Sequence, residues 1–220
     1  MPVNRVLNAD FHIHSFFSAD SDISPEDIIK YAKKAGLDAI AVTDHNSIKG
    51  GIETQKISKK IIVFVGSEIK TKEGEVIGLN LKKDVPYGLS LMQTCKLINK
   101  QNGFVIVPHP FDKFRNGIGN EIEKIVKYID AVEIFNARTL VDGFNKQSFE
   151  FAKKYRLPFV AGSDSHFKSE IGSAYTLINC NRNKEDILKA VKGGRVKITG
   201  KKSGIMPHWK TFVTKIGKKF

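Results

Sequence analysis

Apolar runs of strand length recur along this chain at Leu37–Val42, Ile61–Val65, Phe104–Val107, Ala131–Phe135 and Pro158–Ala161, and segments of helical period separate most of them. Such an alternation predicts parallel strands covered by helices, in either an open doubly wound sheet or a closed barrel. Polar clusters at the ends of apolar runs choose between the two: Asp10-Phe11-His12-Ile13-His14-Ser15, Thr43-Asp44-His45-Asn46, Gly66-Ser67-Glu68, Pro108-His109-Pro110 and Gly162-Ser163-Asp164-Ser165-His166. Five of the six histidines fall in these clusters. A barrel brings that many strand ends round one mouth, whereas an open sheet concentrates its ligands at a single switch point. The expected fold is therefore an α/β protein of the (β/α)-barrel kind, with fewer than eight strands in a chain of 220 residues.

Local signals fill in the helices. Ser24-Pro25-Glu26-Asp27 reads as a helix start, with Ser24 as N-cap, Pro25 in the first turn and two acids against the positive helix end. Ile28, Ile29, Ala32 and Ala35 mark its buried stripe, and Gly36 closes it. Further helices are predicted over Leu89–Lys100, Asn120–Tyr128, Asp142–Tyr155 and Lys184–Lys192, and Lys72-Glu73-Gly74 reads as a hairpin turn.

A hydrophobic fraction of 41% with 27% charged residues is that of an ordinary soluble globule with one core. There is no apolar stretch of membrane-spanning length and no charged-then-apolar signal pattern, so a cytoplasmic protein is expected. Cys95 and Cys180 are isolated, which predicts buried reduced thiols. The net charge of +13 is concentrated at one end: Ile187 to Phe220 holds ten Lys or Arg and no acid. Such an end can attract a nucleic acid or another polyanion, and it can equally be a solvated face. Within it Trp209, Phe212, Val213, Ile216 and Phe220 recur at helical spacing, predicting a segment that caps the barrel or serves as an amphipathic arm. The division read from the sequence is a barrel over residues 1–200 and a basic amphipathic segment over 201–220.

His12 and His14 stand two apart on a predicted strand, so both imidazoles project from one face and can grip a single ion. Taken one at a time, each clustered histidine has a structural explanation; taken together they do not. His208, outside every cluster, is read as an ordinary packing or surface histidine, and Ser18 as a loop residue.

The ordered motifs His-x-His, Thr-Asp-His, Gly-x-Glu, His-Pro and Gly-Ser-Asp-x-His resemble the PHP (polymerase and histidinol phosphatase) family over roughly residues 7–200. The runs AGLDAIAVTDHNSIKGG and IVPHPFDKFRNG extend the resemblance. It implies a distorted (β/α)7 barrel with two or three divalent metal ions, Zn, Mn or Fe, that hydrolyses phosphate esters. Carried over by residue, it implies His12, His14, Glu68 and Asp164 around a first ion, with Glu68 bridging to a second ion served by His109. His45, His166 and Asp20 would hold a third. Glu75 stands where some relatives place a histidine ahead of Val76-Ile77-Gly78-Leu79, giving the second ion an oxygen ligand. Asp44 is read as an acceptor that orients a neighbouring histidine.

The chemistry implied is attack by a metal-bridging hydroxide on a small phosphomonoester or nucleotide. His166 or Asp20 would return a proton to the leaving group. Arg138 and Arg115 would clamp the phosphate. Rival readings are an exonuclease or oligonucleotide hydrolase, favoured by the basic end, and a barrel that keeps the motifs as a non-catalytic accessory module.

Overall fold

The computed structural model describes residues 5–204. Among them, one sheet is built from β1 (Arg5–Ile13), β2 (Ala39–Val42), β3 (Ile62–Lys70), β4 (Glu75–Leu79), β5 (Phe104–Val107), β6 (Ala131–Asn136), β7 (Phe159–Gly162), β8 (Ala174–Cys180) and β9 (Val196–Gly200). Its helices are α1 (Pro25–Lys34), α2 (Lys49–Ile57), α3 (Leu91–Asn99), α4 (Asp142–Tyr155) and α5 (Lys184–Lys192), with a 3-10 helix over Gly119–Tyr128. The strand order is β7-β6-β5-β4-β3-β2-β1-β8-β9.

The sheet curls into a nearly closed barrel. Asp164 N donates to His12 O at 2.7 Å and His14 N to Ser165 O at 2.9 Å, so the chain leaving β7 runs parallel beside the end of β1. β1 thus has β8 against its first half and the β7 extension against its last residues. Asp10 marks the exchange of partners, accepting backbone N–H groups from Ser163 (2.9 Å), His12 (3.2 Å) and Gly172 (3.2 Å). Burial pushes its carboxyl up to about 6.

The five predicted strands are β2, β3, β5, β6 and β7, and the predicted helices are α1, α3, the 3-10 segment, α4 and α5. Ser24 caps α1 by accepting from Asp27 N at 3.1 Å. The hairpin read at Lys72-Glu73-Gly74 joins β3 to β4, which pairs antiparallel with both β3 and β5. A tight turn closed by Thr71 N to Gly74 O leads into it, and a turn that short cannot make a crossover. β8 and β9 add a second antiparallel extension. The predicted amphipathic segment with Trp209 and Phe212, and His208, lie outside the described residues. Among the described residues, no helix is long and apolar enough to cross a membrane.

The barrel interior explains how the site is presented. Leu7, Ala9, Phe11, Ala41, Phe64 and Ile106 fill it, and α5 closes its base with Ile187, Ala190 and Val191. Outward residues such as Ile40, Val42 and Ile13 pack on α1. Phe11 and His12 are adjacent yet both interior, which a regular strand forbids. The register of β1 against β2 shifts between Asp10 and Ile13, and this bulge slips the phase by one residue. His12 and His14 thereby join the interior face above the Phe11–Phe64 pair, whose ring centroids are 6.0 Å apart.

Candidate metal centre

Hydrogen bonds fix which imidazole nitrogens carry protons. His12 Nδ1 faces Glu133 Oε1 at 3.1 Å and must donate, leaving the lone pair on Nε2. Ser18 Oγ donates to Asp44 Oδ1 at 2.7 Å, so it accepts from His14 Nδ1 at 3.1 Å, and His14 also presents an Nε2 lone pair. His166 Nδ1 donates to the carbonyl of Asp164 at 2.8 Å. The Nε2 atoms of His12 and His14 face each other at 3.1 Å. Two lone pairs at that separation need a positive charge between them: a proton on His12, which Asp164 and Glu68 hold well above the usual imidazole range against burial, or a metal ion, since ligand atoms at 2.0–2.1 Å from one tetrahedral ion lie about 3.3 Å apart.

Carboxylates complete the shell. Glu68 Oε1 lies 3.5 Å from His12 Nε2 and 3.1 Å from His109 Nε2, while its Oε2 lies 3.4 Å from His14 Nε2 and 3.2 Å from His45 Nδ1. This one buried side chain touches four histidines. Asp164 Oδ1 sits 3.6 Å from His12 Nε2 and 3.4 Å from His14 Nε2. Asp20 spans His45 Nε2 at 3.4 Å and His166 Nε2 at 3.5 Å. Glu75 joins through His45 and Glu68, their ligand atoms lying within 4.8 Å of one another. The fold therefore brings together His12, His14, Asp20, His45, Glu68, Glu75, His109, Asp164 and His166.

Titration follows from that crowding. Burial would raise Asp20 and Glu68, but the surrounding histidines hold both below the usual carboxylate range. Asp164 is held low against burial by Arg115 and His12. Burial, then the charge of Glu68, pushes Glu75 up to about 7. His45 rises to about 9 against the effect of burial, because Asp20 and Glu68 flank it. His166 falls to about 3 through burial and the nearby charge of His14. A neutral His166 with its lone pair on Nε2 and an ionised Asp20 suit the ligand roles the resemblance implies for them.

The cluster floors an open cavity of ≈ 510 Å³ whose wall includes Arg115, Arg138, Lys70 and Asn116. Arg115 pairs with Asp164, which also accepts from Asn136 Nδ2 at 3.0 Å. Arg138 is buried beside Glu170 at 3.5 Å, and burial followed by the charge of Arg115 lowers its pKa. Lys113, in the same loop as Arg115, is exposed and does not line the cavity. Backbone conformation is unusual at the ligands, with φ +28° at His109 and +53° at Asp164. Two glycines permit the close approach. A Cβ at Gly162 would lie 2.3 Å from Glu133 Oε1, and one at Gly50 would lie 2.0 Å from Asp44 Oδ2.

Several positioning residues escaped the sequence reading. Glu133 holds His12 and also accepts from His109 N and Asn136 Nδ2, both at 2.9 Å. Glu170 accepts from His166 N and Phe167 N at 3.0 and 3.1 Å. Ser18 is no simple loop residue, because it links Asp44 to His14 and accepts from His45 N. Asp44 does act as an acceptor, taking Ser15 N, Ser15 Oγ and Ser18 Oγ. The signal that could have found Glu133 is a lone acid inside the apolar run Ala131–Phe135.

Nitrogen and oxygen donors with no thiol among them suit a divalent Zn, Mn or Fe, and the fixed, convergent Nε2 lone pairs fit such an ion. Barrel and cluster define the class: an α/β barrel whose mouth gathers histidines and carboxylates able to hold divalent ions. Comparison with known proteins agrees. Residues 142–196 match the family model PHP_C, described as PHP-associated. An uncharacterized protein of Methanocaldococcus jannaschii is 43% identical over 143 residues, covering 60% of this chain and 82% of the relative. A second uncharacterized protein of that organism is 33% identical over 175 residues, covering 77% and 69%. A solved two-domain protein of Bacteroides vulgatus, containing a predicted PHP-like metal-dependent phosphoesterase, is similar at TM-score 0.72 and 19% identity, over 96% of this chain and 70% of that one. The chain belongs to the PHP family.

Proposed function

We propose that this chain is a metal-dependent phosphoesterase that hydrolyses a small phosphomonoester or nucleotide, with two or three divalent ions held by the nine clustered side chains. One observation carries the reading: a cluster of convergent imidazole lone pairs and carboxylates shares a cavity with two guanidiniums, Arg115 and Arg138. Two cations whose charges oppose each other form a wall suited to an anion, and a planar guanidinium suits phosphate in particular.

When bound, the ions supply Lewis acidity, which makes hydroxide available near neutral pH and neutralises phosphoryl oxygens. The protein's own groups do the rest. Glu133, Ser18 and the Asp164 carbonyl hold His12, His14 and His166 in the tautomers that leave Nε2 free. Arg138, braced by Glu170, and Arg115 orient the phosphate and oppose its developing charge.

Purified, manganese-loaded protein assayed against sugar phosphates, nucleotides and short RNA tests the reading. Hydrolysis that is abolished by chelator and restored by metal supports it. Absence of turnover on every substrate would instead favour the accessory-module reading. The basic end remains the argument for an oligonucleotide substrate, and salt-sensitive turnover of RNA above that of nucleotides would favour it.

A further inference from the structure

Two phenylalanines stand in the wall of the metal-cluster cavity, with Phe17 36% and Phe114 78% exposed. They come from different loops, one after β1 and one after β5. Each lies against another ring: Phe17 is tilted 33° to Phe16 with centroids 4.6 Å apart, and Phe114 meets the edge of Phe144 at 6.1 Å. Their backbones are tied to the site, since Phe17 N donates to Ser15 Oγ and Phe114 N to Asp112 Oδ1. The Phe114 loop is also packed against the β3–β4 turn, where a Cβ on Gly74 would lie 2.5 Å from Asn116 O.

Beside them the same cavity carries two amides. Asn46 Oδ1 is engaged by Lys70 N at 2.8 Å, which leaves its NH2 to donate. Asn116 Nδ2 donates to Glu75 Oε1 at 3.2 Å, which leaves its carbonyl to accept. Flat apolar faces next to one donor and one acceptor match a planar group with a polar edge. Resting on the phosphoesterase reading above, we infer that the leaving group of the substrate carries a nucleobase, which stacks on Phe17 and Phe114 while its phosphate faces the metal cluster and the two arginines. A cavity of ≈ 510 Å³ has the size of a small-ligand cleft.

The test compares AMP with ribose 5-phosphate, which present the same phosphomonoester with and without the base. Wild-type protein is expected to prefer AMP in kcat/KM by at least about fivefold, because base stacking on an aromatic side chain is worth about 1–3 kcal/mol. In Phe17→Ala/Phe114→Ala that preference collapses towards unity, while Phe114→Trp retains it. A 5′-phosphorylated tetraadenylate distinguishes a free nucleotide from a strand end, the better substrate of the two naming the source. Binding of 2-aminopurine riboside 5′-monophosphate, read as fluorescence quenching on stacking, needs no turnover. Quenching by the wild type that disappears in the double alanine variant supports the inference even if no phosphoester is hydrolysed, in which case the catalytic reading alone fails. Turnover of ribose 5-phosphate as fast as AMP, or an AMP preference and quenching unchanged in the double variant, would overturn the nucleobase subsite and leave the phosphoesterase reading standing.

Discussion

Glu133→Gln isolates the contribution of one hydrogen bond to metal affinity. All the partners of Glu133 are donors: His12 Nδ1 at 3.1 Å, His109 N at 2.9 Å and Asn136 Nδ2 at 2.9 Å. A glutamine has one carbonyl oxygen and must turn its NH2 towards one side. With the oxygen kept by His109 N and Asn136, the NH2 faces His12 and forces Nδ1 to accept, which moves the ring proton to Nε2. The ligand lone pair is then lost from the ion's side. A hydrogen bond to a charged group is worth about 1.5–3 kcal/mol. At about 1.36 kcal/mol per decade, that is roughly ten- to hundredfold in affinity, the range typical for partners of metal-bound histidines. Competition of the purified variant with a chromophoric chelator for zinc or manganese gives the number. The exposed Glu53→Gln, whose partner is Lys56 on the same helix, is the control and should change nothing. An affinity within twofold of wild type, in a folded Glu133→Gln, would refute the tautomer argument.

Metal uptake should strengthen with pH. His45 titrates at about 9 in the metal-free protein, so below that pH a cation must displace its proton, and affinity rises about tenfold per unit for each such proton until pH 9; calorimetry in buffers of different ionisation enthalpy counts the protons released. Gly162→Ala should destabilise the fold by about 1–3 kcal/mol, because its Cβ would lie 2.5 Å from His12 Cβ, and thermal melting measures this. Arg138→Ala should raise KM for a phosphate substrate about tenfold or more, any fall in kcat reporting charge met only in the transition state; unchanged kinetics would place Arg138 outside the binding site. Glu75→Gln should weaken metal retention in titrations, whereas Glu73→Gln, whose carboxylate accepts from Leu91 N, should leave it intact.

Much of this was legible from local chemistry. Ser24 and Pro25 announce α1 by capping, and β5 and α4 fall on their predicted residues through the pattern of their apolar positions. The clustered histidines and acids also declare themselves, since each ends an apolar run. What stayed hidden depends on contacts made in three dimensions. α2 opens with Gly50 and Gly51, poor helix formers that are present because Asp44 and the Val65 backbone crowd them. β8 alternates buried and half-exposed residues over Ala174–Cys180 and acquires its meaning only by pairing with β1 from the far end of the chain. Glu133 reads as a flaw in a core strand until closure of the barrel turns it towards His12. The bulge that lets Phe11 and His12 share one face leaves no mark in the residue types themselves.

The central claim is that these side chains converge as a polynuclear metal site, and elemental analysis of purified protein never exposed to chelator tests it most directly. The account predicts two or three divalent transition metals per chain, falling in His14→Ala and Asp164→Ala, each of which removes a ligand atom from the group formed with His12. A stoichiometry well below one, with no binding recovered on adding zinc, manganese or iron to the folded protein, would contradict it.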